Sequence, residues 1–415
     1  MKKRLLFVTT RLPWPANSGR RTSLYHYCRG LHEQYGYEVS LLAFPEWDQP
    51  RSDKDKPPFI ARLYFAVPIK RLTKLFSLLG ALFSGKPLQA ALYESRKNHR
   101  LLKRILKDEQ PDVVIFDMLR LAPYMKTAKG HATCILDLDD LLSVRYQRQL
   151  QSPVGDTGIA GHYAGGMPPL LERLLCHGRI GKMILKSEQR RTARAELRYA
   201  QRADGVILVS ETETDRLNRA LGKAHAVTVP TGVDTAAFSC HGAAKKPSTF
   251  GFVGNLFAAA NVASLRYIVN EVLPRITLPF TFEVAGPCPD EVRAELENVK
   301  GLCLLGEVES TAAVMATWQF TLCPIAFGTG LKTKVLEAMA AGLPVLTNET
   351  GAEGINAQNG KELFSLQDAA ALAATAEKLL LDPALCHQTG AAAKQFVSTH
   401  FDWSIVFNAF GQLDL

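Results

Sequence analysis

The sequence predicts an α/β protein made of two doubly wound, Rossmann-like domains that face a cleft. Short apolar runs alternate with longer helical stretches, which is typical of a parallel sheet covered by helices on both faces. The runs form two series, separated by a break that follows residues 230–234. A chain of 415 residues is also long for a single hydrophobic core, so two domains are expected.

The predicted strands are short and continuously apolar. The first series comprises Leu5–Thr9, Val39–Phe44, Val113–Phe116, Cys134–Leu138, Val206–Val209 and Ala226–Val229. The second series comprises Phe250–Val253, Phe280–Ala285, Leu302–Leu305, Phe320–Cys323 and Pro344–Thr347.

The domain boundary is predicted where Pro230 and Gly232 interrupt the apolar pattern and a polar run leads to the next strand. We therefore predict a first domain over 1–235, a linker over 236–248, a second domain over 249–395 and a helical tail over 396–415 that returns to the first domain. The Gly- and Pro-rich stretch from Gln151 to Pro169 is interpreted as a loop of the first domain.

Composition excludes several classes of protein. Hydrophobic residues make up 47% of the chain, which is too many for a disordered protein, and the net charge of +9 favours phosphate-bearing partners. The apolar run after the basic start is too short for a signal peptide, and no stretch approaches the roughly 20 apolar residues that span a bilayer. The sequence therefore predicts a cytoplasmic protein. The eight cysteines lack zinc-site spacing, so no metal site is expected.

A glycine-rich turn at 328–330, followed by a predicted helix and strand, is the most informative segment. Such a turn exposes the first N–H groups of the helix, and Lys332 and Lys334 add positive charge, so this end suits a diphosphate. Glu337 follows on the same helical face, where its carboxylate can accept hydrogen bonds from ribose hydroxyls. The alternative interpretation is that this segment is an ordinary connection between a helix and a strand, with lysines on its surface.

In the first domain, two loops follow predicted strands, at the sheet edge where ligands bind in open α/β folds. One is the loop Pro13–Gly19. The alternative interpretation is that its prolines and glycine serve only to form a turn of the chain. The other ends in three carboxylates, where strand alternation places Asp137 and Asp139 on one side and Asp140 on the other. Helix capping by Asp139 or Asp140 is the alternative there.

Two further segments are basic. Arginines recur at every fourth position, at Arg190, Arg194, Arg198 and Arg202. Between Pro68 and Lys86, apolar residues recur at helical spacing among basic ones, namely Ile69, Leu72, Leu75, Phe76, Leu79, Leu82 and Phe83 with Lys70, Arg71 and Lys74. Such a helix can lie on an anionic membrane. A core-facing helix and a solvated arginine face are the alternatives.

These motifs resemble the donor-site signature of retaining glycosyltransferases of the GT-B fold, family 4 (glycosyl transferases group 1). The shared run is the glycine-containing loop that leads to Glu337-Ala338-Met339-Ala340-Ala341-Gly342-Leu343-Pro344-Val345. The resemblance extends to Thr347, to Val229-Pro230-Thr231-Gly232-Val233-Asp234, to Phe252-Val253-Gly254-Asn255 and to Gly351-Ala352-Glu353-Gly354-Ile355. It implies an acceptor-binding first domain, a nucleotide-sugar-binding second domain, and retention of anomeric configuration without a metal ion or other cofactor.

The resemblance also implies roles for individual residues. Asp139 and Glu337 are expected to be catalytic, with Asp139 beside the reactive carbon of the sugar, where it orients the acceptor or takes its proton. The expected donor site comprises Gly19, Gly254, Asn255, Gly330, Leu331, Lys332, Lys334 and Glu337. Many members carry an acidic residue where this chain has Thr329. A subset reads Gly-x-Gly-x-Lys-x-Lys instead, which makes Lys332 and Lys334 the phosphate candidates.

The expected function is transfer of a sugar from a nucleotide-diphosphate donor to a glycan or lipid-linked acceptor, in bacterial polysaccharide or lipopolysaccharide assembly. The expected partners are a nucleotide sugar, that acceptor and the inner face of the cytoplasmic membrane. Nucleic acid is not expected, because the arginine series lacks interleaved aromatic residues. The alternatives are a nucleotide-sugar epimerase or phosphorylase on the same fold, and a non-catalytic protein that binds nucleic acid or membrane.

Overall fold

The structure is a computed structural model that describes residues 2–16, 19–45, 51–151, 178–238, 244–328 and 330–413. The chain divides into two compact units. The first comprises Met1–Gln147, Ile184–Thr231 and Val406–Leu415, and the second comprises Arg148–Met183 and Gly232–Ile405. The described residues 148–151 and 178–183, which the sequence assigned to the first domain, thus group with the second unit. Most of the predicted loop from Gln151 to Pro169 lies outside the described residues.

The first unit is built around a parallel sheet in the order β3-β2-β1-β4-β5-β6-β7. Its strands are β1 (Arg4–Thr9), β2 (Glu38–Ala43), β3 (Ile60–Phe65), β4 (Val113–Asp117), β5 (Thr133–Asp139), β6 (Gly205–Leu208) and β7 (Ala226–Thr228). The helices over this part of the chain are Gly19–Glu33, Arg71–Ser84, Leu88–Tyr93, Arg96–Glu109, Met118–Leu121, Met125–Ala128, Leu142–Gln151, Gly178–Ala200 and Glu211–Leu221.

The second unit has a parallel sheet in the order β10-β9-β8-β11-β12-β13. Its strands are β8 (Thr249–Val253), β9 (Thr281–Ala285), β10 (Leu302–Gly306), β11 (Thr321–Leu322), β12 (Val345–Thr347) and β13 (Phe364–Ser365). The α-helices are Ala259–Tyr267, Asp290–Leu296, Thr311–Ala316, Thr333–Ala340, Glu349–Ala352, Ala369–Leu381, Pro383–His400 and Trp403–Val406.

Both sheets confirm the predicted fold class, and their strand orders locate the ligand-binding edges. In each sheet the order of connection reverses once, between β1 and β4 in the first and between β8 and β11 in the second. In doubly wound folds, ligands bind at such a switch point, outside the carboxyl ends of the strands. The candidate residues described below lie at these two places.

Every strand expected from the apolar runs is present, and two further strands, β3 and β13, were not expected. Both are edge strands. In β3, Ala61 and Arg62 are exposed, so the strand lacks the continuous apolar run of a strand buried on both faces. β13 has only two residues, which is too short to leave a periodic signal.

The end of the chain packs in the first unit. The Phe410 ring lies edge-on to Tyr27, with 5.1 Å between ring centroids. Phe407 lies over Gly30, where an added Cβ would come within 2.5 Å of the ring. The tail therefore packs Phe407 and Phe410 against the helix Gly19–Glu33.

Candidate functional site

Arg20 joins three aspartates at the switch point of the first sheet. It occupies the first turn of the helix Gly19–Glu33, while the aspartates come from the ends of β4 and β5. Arg20 donates to Asp117 from Nη2 (2.7 Å), to Asp137 from Nη2 (2.6 Å) and to Asp139 from Nη1 (3.0 Å). Asp137 and Asp139 thus lie on the same side of β5, as strand alternation predicts.

The backbone at Asp139 departs from a regular strand. Asp139 has φ of +66°, a left-handed conformation that costs roughly 1–2 kcal/mol in a residue other than glycine. The pairing of β5 with β6 shifts register between Asp137 and Asp139, and the Asp139 N–H donates to Asp137 Oδ1 (3.1 Å). A bulge of this kind re-aims a side chain at the end of a strand.

The three carboxyl groups differ in their electrostatic environments. Burial raises the pKa of Asp137 to about 7, although Arg20 opposes the shift. Burial also raises the pKa of Asp139. At Asp117, burial acts in the same direction, but the Arg20 charge and hydrogen bonds from Thr10 outweigh it and the pKa is lowered. Asp117 is therefore the fixed counter-charge of Arg20.

The hydrogen bonds described at the start of the following helix come from acids other than Asp139 and Asp140, whose capping role was the alternative interpretation. Asp140 instead accepts from Arg145 Nε (2.9 Å). Two buried glutamates receive the N–H groups that open the helix Leu142–Gln151: Glu213 accepts from Leu141, and Glu196 accepts from Ser143 (3.1 Å). A cap drawn from distant helices leaves no signal in the local sequence.

Gly19 opens the first helix. An added Cβ there would meet nothing within 4 Å, so packing among the described residues does not require a glycine. Its expected role beside the donor stays a prediction.

In the second unit, the glycine-rich loop runs from the switch point of the sheet into the helix Thr333–Ala340. Gly330 has φ of +67° and Gly342, just beyond the helix, has φ of +72°. Both positions favour glycine because a Cβ is strained in that region. Thr329, where many relatives are acidic, lies outside the described residues.

The two loop lysines have different surroundings. Lys332 is buried; its ammonium donates to the Gly330 carbonyl and lies 3.9 Å from Glu353 Oε2. Lys334 donates to Asn261 Oδ1 and lies 4.6 Å from the centroid of the Phe252 ring. Lys332 thus stabilises its own loop, whereas the Lys334 ammonium rests on an amide and an aromatic face.

Glu337 is a partly buried neighbour of Lys334. Burial raises the pKa of Glu337, and the Lys334 charge opposes this. Burial lowers the pKa of Lys334. The structure therefore brings together two of the predicted donor residues at the start of one helix. Leu331 is also partly buried, against Gly354.

Gly254 and Asn255 follow β8, at the same edge of the sheet. Gly254 donates to Ala285 O (2.9 Å), and Asn255 Oδ1 accepts from the N–H of Phe257 (2.9 Å). The Asn255 carbonyl accepts from Asn261 Nδ2 (2.8 Å). Asn261 therefore links this loop to Lys334.

The sequence missed Arg20, Asp117 and Asn261. Asp117 directly follows an apolar strand and Arg20 directly follows Gly19, so their positions at carboxyl ends were a usable signal. Asn261 lies in the helix Ala259–Tyr267, and nothing in the local pattern marks it.

Comparison with known proteins identifies the second unit most directly. Residues 247–382 match the family model described as "Glycosyl transferases group 1". A glycogen synthase of Mycobacterium tuberculosis is 40% identical over 83 residues, which is 19% of this chain and 20% of that protein. The alignment thus spans about one fifth of each.

Solved structures resemble the whole chain at low sequence identity. Sucrose-phosphate synthase from Thermosynechococcus elongatus has a TM-score of 0.70 at 15% identity, covering 99% of this chain and 98% of that one. HepE of Anabaena, solved with UDP, has a TM-score of 0.62 at 13% identity, with coverage of 99% and 98%. WaaG, described as a glycosyltransferase involved in lipopolysaccharide biosynthesis, has a TM-score of 0.60 at 14% identity, covering 99% of each chain. The chain therefore has the two-domain α/β fold of GT-B glycosyltransferases, and its residues 247–382 match the glycosyl transferases group 1 family.

Proposed function

We propose that this chain is a glycosyltransferase that moves a sugar from a nucleotide-diphosphate donor to a glycan or lipid-linked acceptor, with retention of configuration, in cell-surface polysaccharide biosynthesis. The second unit binds the donor, with its diphosphate at Lys334 and its ribose on Glu337. The first unit binds the acceptor near Asp139. Retention, family 4 membership and the absence of a metal ion rest on the motif resemblance alone.

The environment of Lys334 carries the proposal. Its ammonium contacts an amide oxygen and an aromatic face, at the switch point of the sheet and at the start of a helix. Burial lowers its pKa, because desolvation disfavours the charged form. A diphosphate would supply negative charge, and it would also accept from the first N–H groups of the helix. As the sugar leaves, the same groups would stabilise the departing diphosphate.

The comparisons support the same function. The family match lies in the unit that holds Lys334 and Glu337. One structural neighbour, HepE, was solved as complexes with UDP and with UDP-glucose, and WaaG is described as involved in lipopolysaccharide biosynthesis. These properties motivate a nucleotide-diphosphate donor and a cell-surface acceptor for this chain.

Calorimetric titration with UDP and with GDP at fixed ionic strength tests the donor site. We expect one nucleotide to bind, and Glu337→Ala to weaken it by more than about tenfold, or about 1.4 kcal/mol, because two ribose hydroxyls lose their acceptor. Glu291→Ala removes an exposed glutamate of the same unit and should leave the affinity unchanged.

Two outcomes would count against this donor site: neither nucleotide binds, or both bind equally to wild type and to Glu337→Ala. The rival enzymes are separated by turnover. An epimerase would convert a nucleotide sugar without any acceptor, whereas a phosphorylase would require inorganic phosphate.

We further propose that the helix Arg71–Ser84 rests on an anionic membrane surface. Phe76 and Phe83 are 69% and 92% exposed, and their spacing of seven residues places them on one face of the helix. Ala81, on the opposite face, is 2% exposed. Lys70 and Lys74 are exposed as well. The side chains of Leu72, Leu75, Leu79 and Leu82 lie outside the described part of the structure. Among the described residues, no helix is both long and apolar enough to cross a bilayer.

Co-sedimentation with vesicles tests this surface. We expect the protein to bind phosphatidylglycerol vesicles in preference to phosphatidylcholine vesicles, because lysines flank the exposed rings. The variant Phe76→Ser/Phe83→Ser should bind at least about tenfold more weakly, because two aromatic side chains no longer enter the lipid. Leu381→Ser, which replaces a leucine that is 71% exposed in the second unit, is the matched control. Equal binding by all three proteins would exclude the helix as the membrane contact.

A further inference from the structure

Arg20 has no role in donor binding as proposed above, yet it donates hydrogen bonds to three carboxylates at the edge of the first sheet. Its side chain is 7% exposed, and the Asp117 and Asp137 side chains are fully buried. Asp139 differs, because 21% of its side chain remains exposed. Of the three carboxylates, Asp139 is therefore the one that a ligand can reach.

The guanidinium is anchored on its buried side. Asp117 Oδ1 accepts from both Nε (3.0 Å) and Nη2 (2.7 Å) of Arg20. The other Asp117 oxygen accepts from the backbone N–H of Thr10 (2.9 Å), which follows β1. Asp117, at the end of β4, is thus also hydrogen-bonded to the residue that follows the neighbouring strand β1. With Nε and Nη2 held, Nη1 has one orientation, in which it donates to Asp139 Oδ1. The planar guanidinium can hold Asp117 and Asp139 in a fixed relative orientation, whereas a lysine ammonium cannot reproduce this geometry.

We propose that Arg20 is a positioning residue, which holds Asp139 so that its second carboxylate oxygen meets a hydroxyl of the acceptor. The left-handed backbone of Asp139 and the bulge beside it support this inference, since strain of this kind persists where the surroundings over-determine a conformation. The identification of the ligand as an acceptor rests on the proposed function, glycosyl transfer. The hydrogen bond between Arg20 and Asp139 is independent of that function.

The link has a measurable electrostatic consequence. The charged groups that act on Asp139 are Arg20, Arg145, Asp117 and Asp140, with Asp137 adjacent on the same strand. Burial is the largest influence and raises the pKa of Asp139, and Arg20 is the largest influence that lowers it. Removing the guanidinium should therefore raise this pKa further.

Carbon-13 NMR of protein labelled at the aspartate carboxyl carbons tests the proposal, with Asp139→Asn used to assign the signal. We expect Arg20→Gln to raise the pKa of Asp139 by about one unit or more, because a charge-assisted hydrogen bond is lost. Arg20→Lys should raise this pKa by a smaller amount than Arg20→Gln, since lysine restores the charge but not the planar fork that holds Nη1 at Asp139. A residue that served packing alone would not produce this pair of results.

Arg20→Gln leaves three carboxylates without their counter-charge, so it is paired with Arg20→Gln/Asp137→Asn, which removes one buried acid as well. A smaller rise in the Asp139 pKa is expected in that variant, because a neighbouring like charge is removed together with the guanidinium. An unchanged Asp139 titration in the folded variants would overturn the proposal.

Calorimetry with UDP and GDP separates this inference from the proposed function. Arg20 lies in the first unit, so its variants should keep wild-type nucleotide affinity. In a turnover assay with a nucleotide sugar that binds, Arg20→Gln and Asp139→Asn should both lower the rate, and Arg20→Lys should recover part of it. A shifted Asp139 pKa with no nucleotide binding to any protein would uphold the Arg20–Asp139 link and reject the donor site. Normal nucleotide binding with an unshifted Asp139 pKa would uphold the donor site and reject the Arg20–Asp139 link.

Discussion

Lys334→Met should weaken binding of the nucleoside diphosphate by about 100-fold while leaving the melting temperature unchanged or higher. The loss corresponds to about 2.7 kcal/mol, within the range of about 2–5 kcal/mol for a desolvated charge that loses its partner. Stability should not fall, because methionine keeps the contact with the Phe252 ring and removes a partly desolvated ammonium. Calorimetry and thermal unfolding measure the two effects.

The stability effect has a defined pH dependence. Burial lowers the pKa of Lys334 in the folded chain, so the unfolded chain binds the proton more tightly. In wild type the charged form therefore costs stability at neutral pH, and this cost disappears as pH rises toward the pKa of free lysine. The advantage of Lys334→Met should shrink over the same interval.

Lys332→Met is the matched control for nucleotide binding. The Lys332 ammonium is already held by the Gly330 carbonyl and by Glu353, so we expect a loss of less than about tenfold. If Lys332→Met instead abolished binding and Lys334→Met retained it, the diphosphate would have been assigned to the wrong lysine.

Gly390→Ala should lower the free energy of unfolding by about 3 kcal/mol, at the upper end of the range for overpacking. Gly390 lies in the helix Pro383–His400. An added Cβ would come within 2.0 Å of the Gly342 carbonyl oxygen and 2.9 Å of its carbon. Backbone atoms cannot move aside as a side chain can, so the helix Pro383–His400 would have to move away from Gly342, which follows the helix Thr333–Ala340. Urea denaturation measures the loss.

The same substitution elsewhere in the chain provides the control. Gly80 also lies within a helix, Arg71–Ser84, but an added Cβ there meets nothing within 4 Å. Gly80→Ala should therefore raise stability by up to about 1 kcal/mol, the difference in helix propensity. A small or absent loss in Gly390→Ala would show that the helix Pro383–His400 approaches Gly342 less closely than the structure indicates.

The sequence predicted every interior strand of the two sheets, but of the four edge strands it predicted β7 and β10 and missed β3 and β13. Central strands such as β4 and β8 are buried on both faces, so hydrophobicity alone marks them. The edge strand β3 carries exposed residues such as Arg62, and its identity as a strand depends on pairing with β2. That pairing is a tertiary contact, which a local pattern does not contain.

The sequence by itself determined the α/β class, the two series of strands, and the loop and helix that carry Lys334 and Glu337, because each depends on residues close together in the chain. Only the tertiary structure decided which polar groups meet. Arg20 and Asp117 are 97 positions apart in sequence, and Lys334 and Asn261 are 73 apart, yet each pair shares a hydrogen bond at the carboxyl edge of a sheet. Parallel strands bring their ends to one edge whatever the length of chain between them, so these neighbours follow from strand order and not from local spacing.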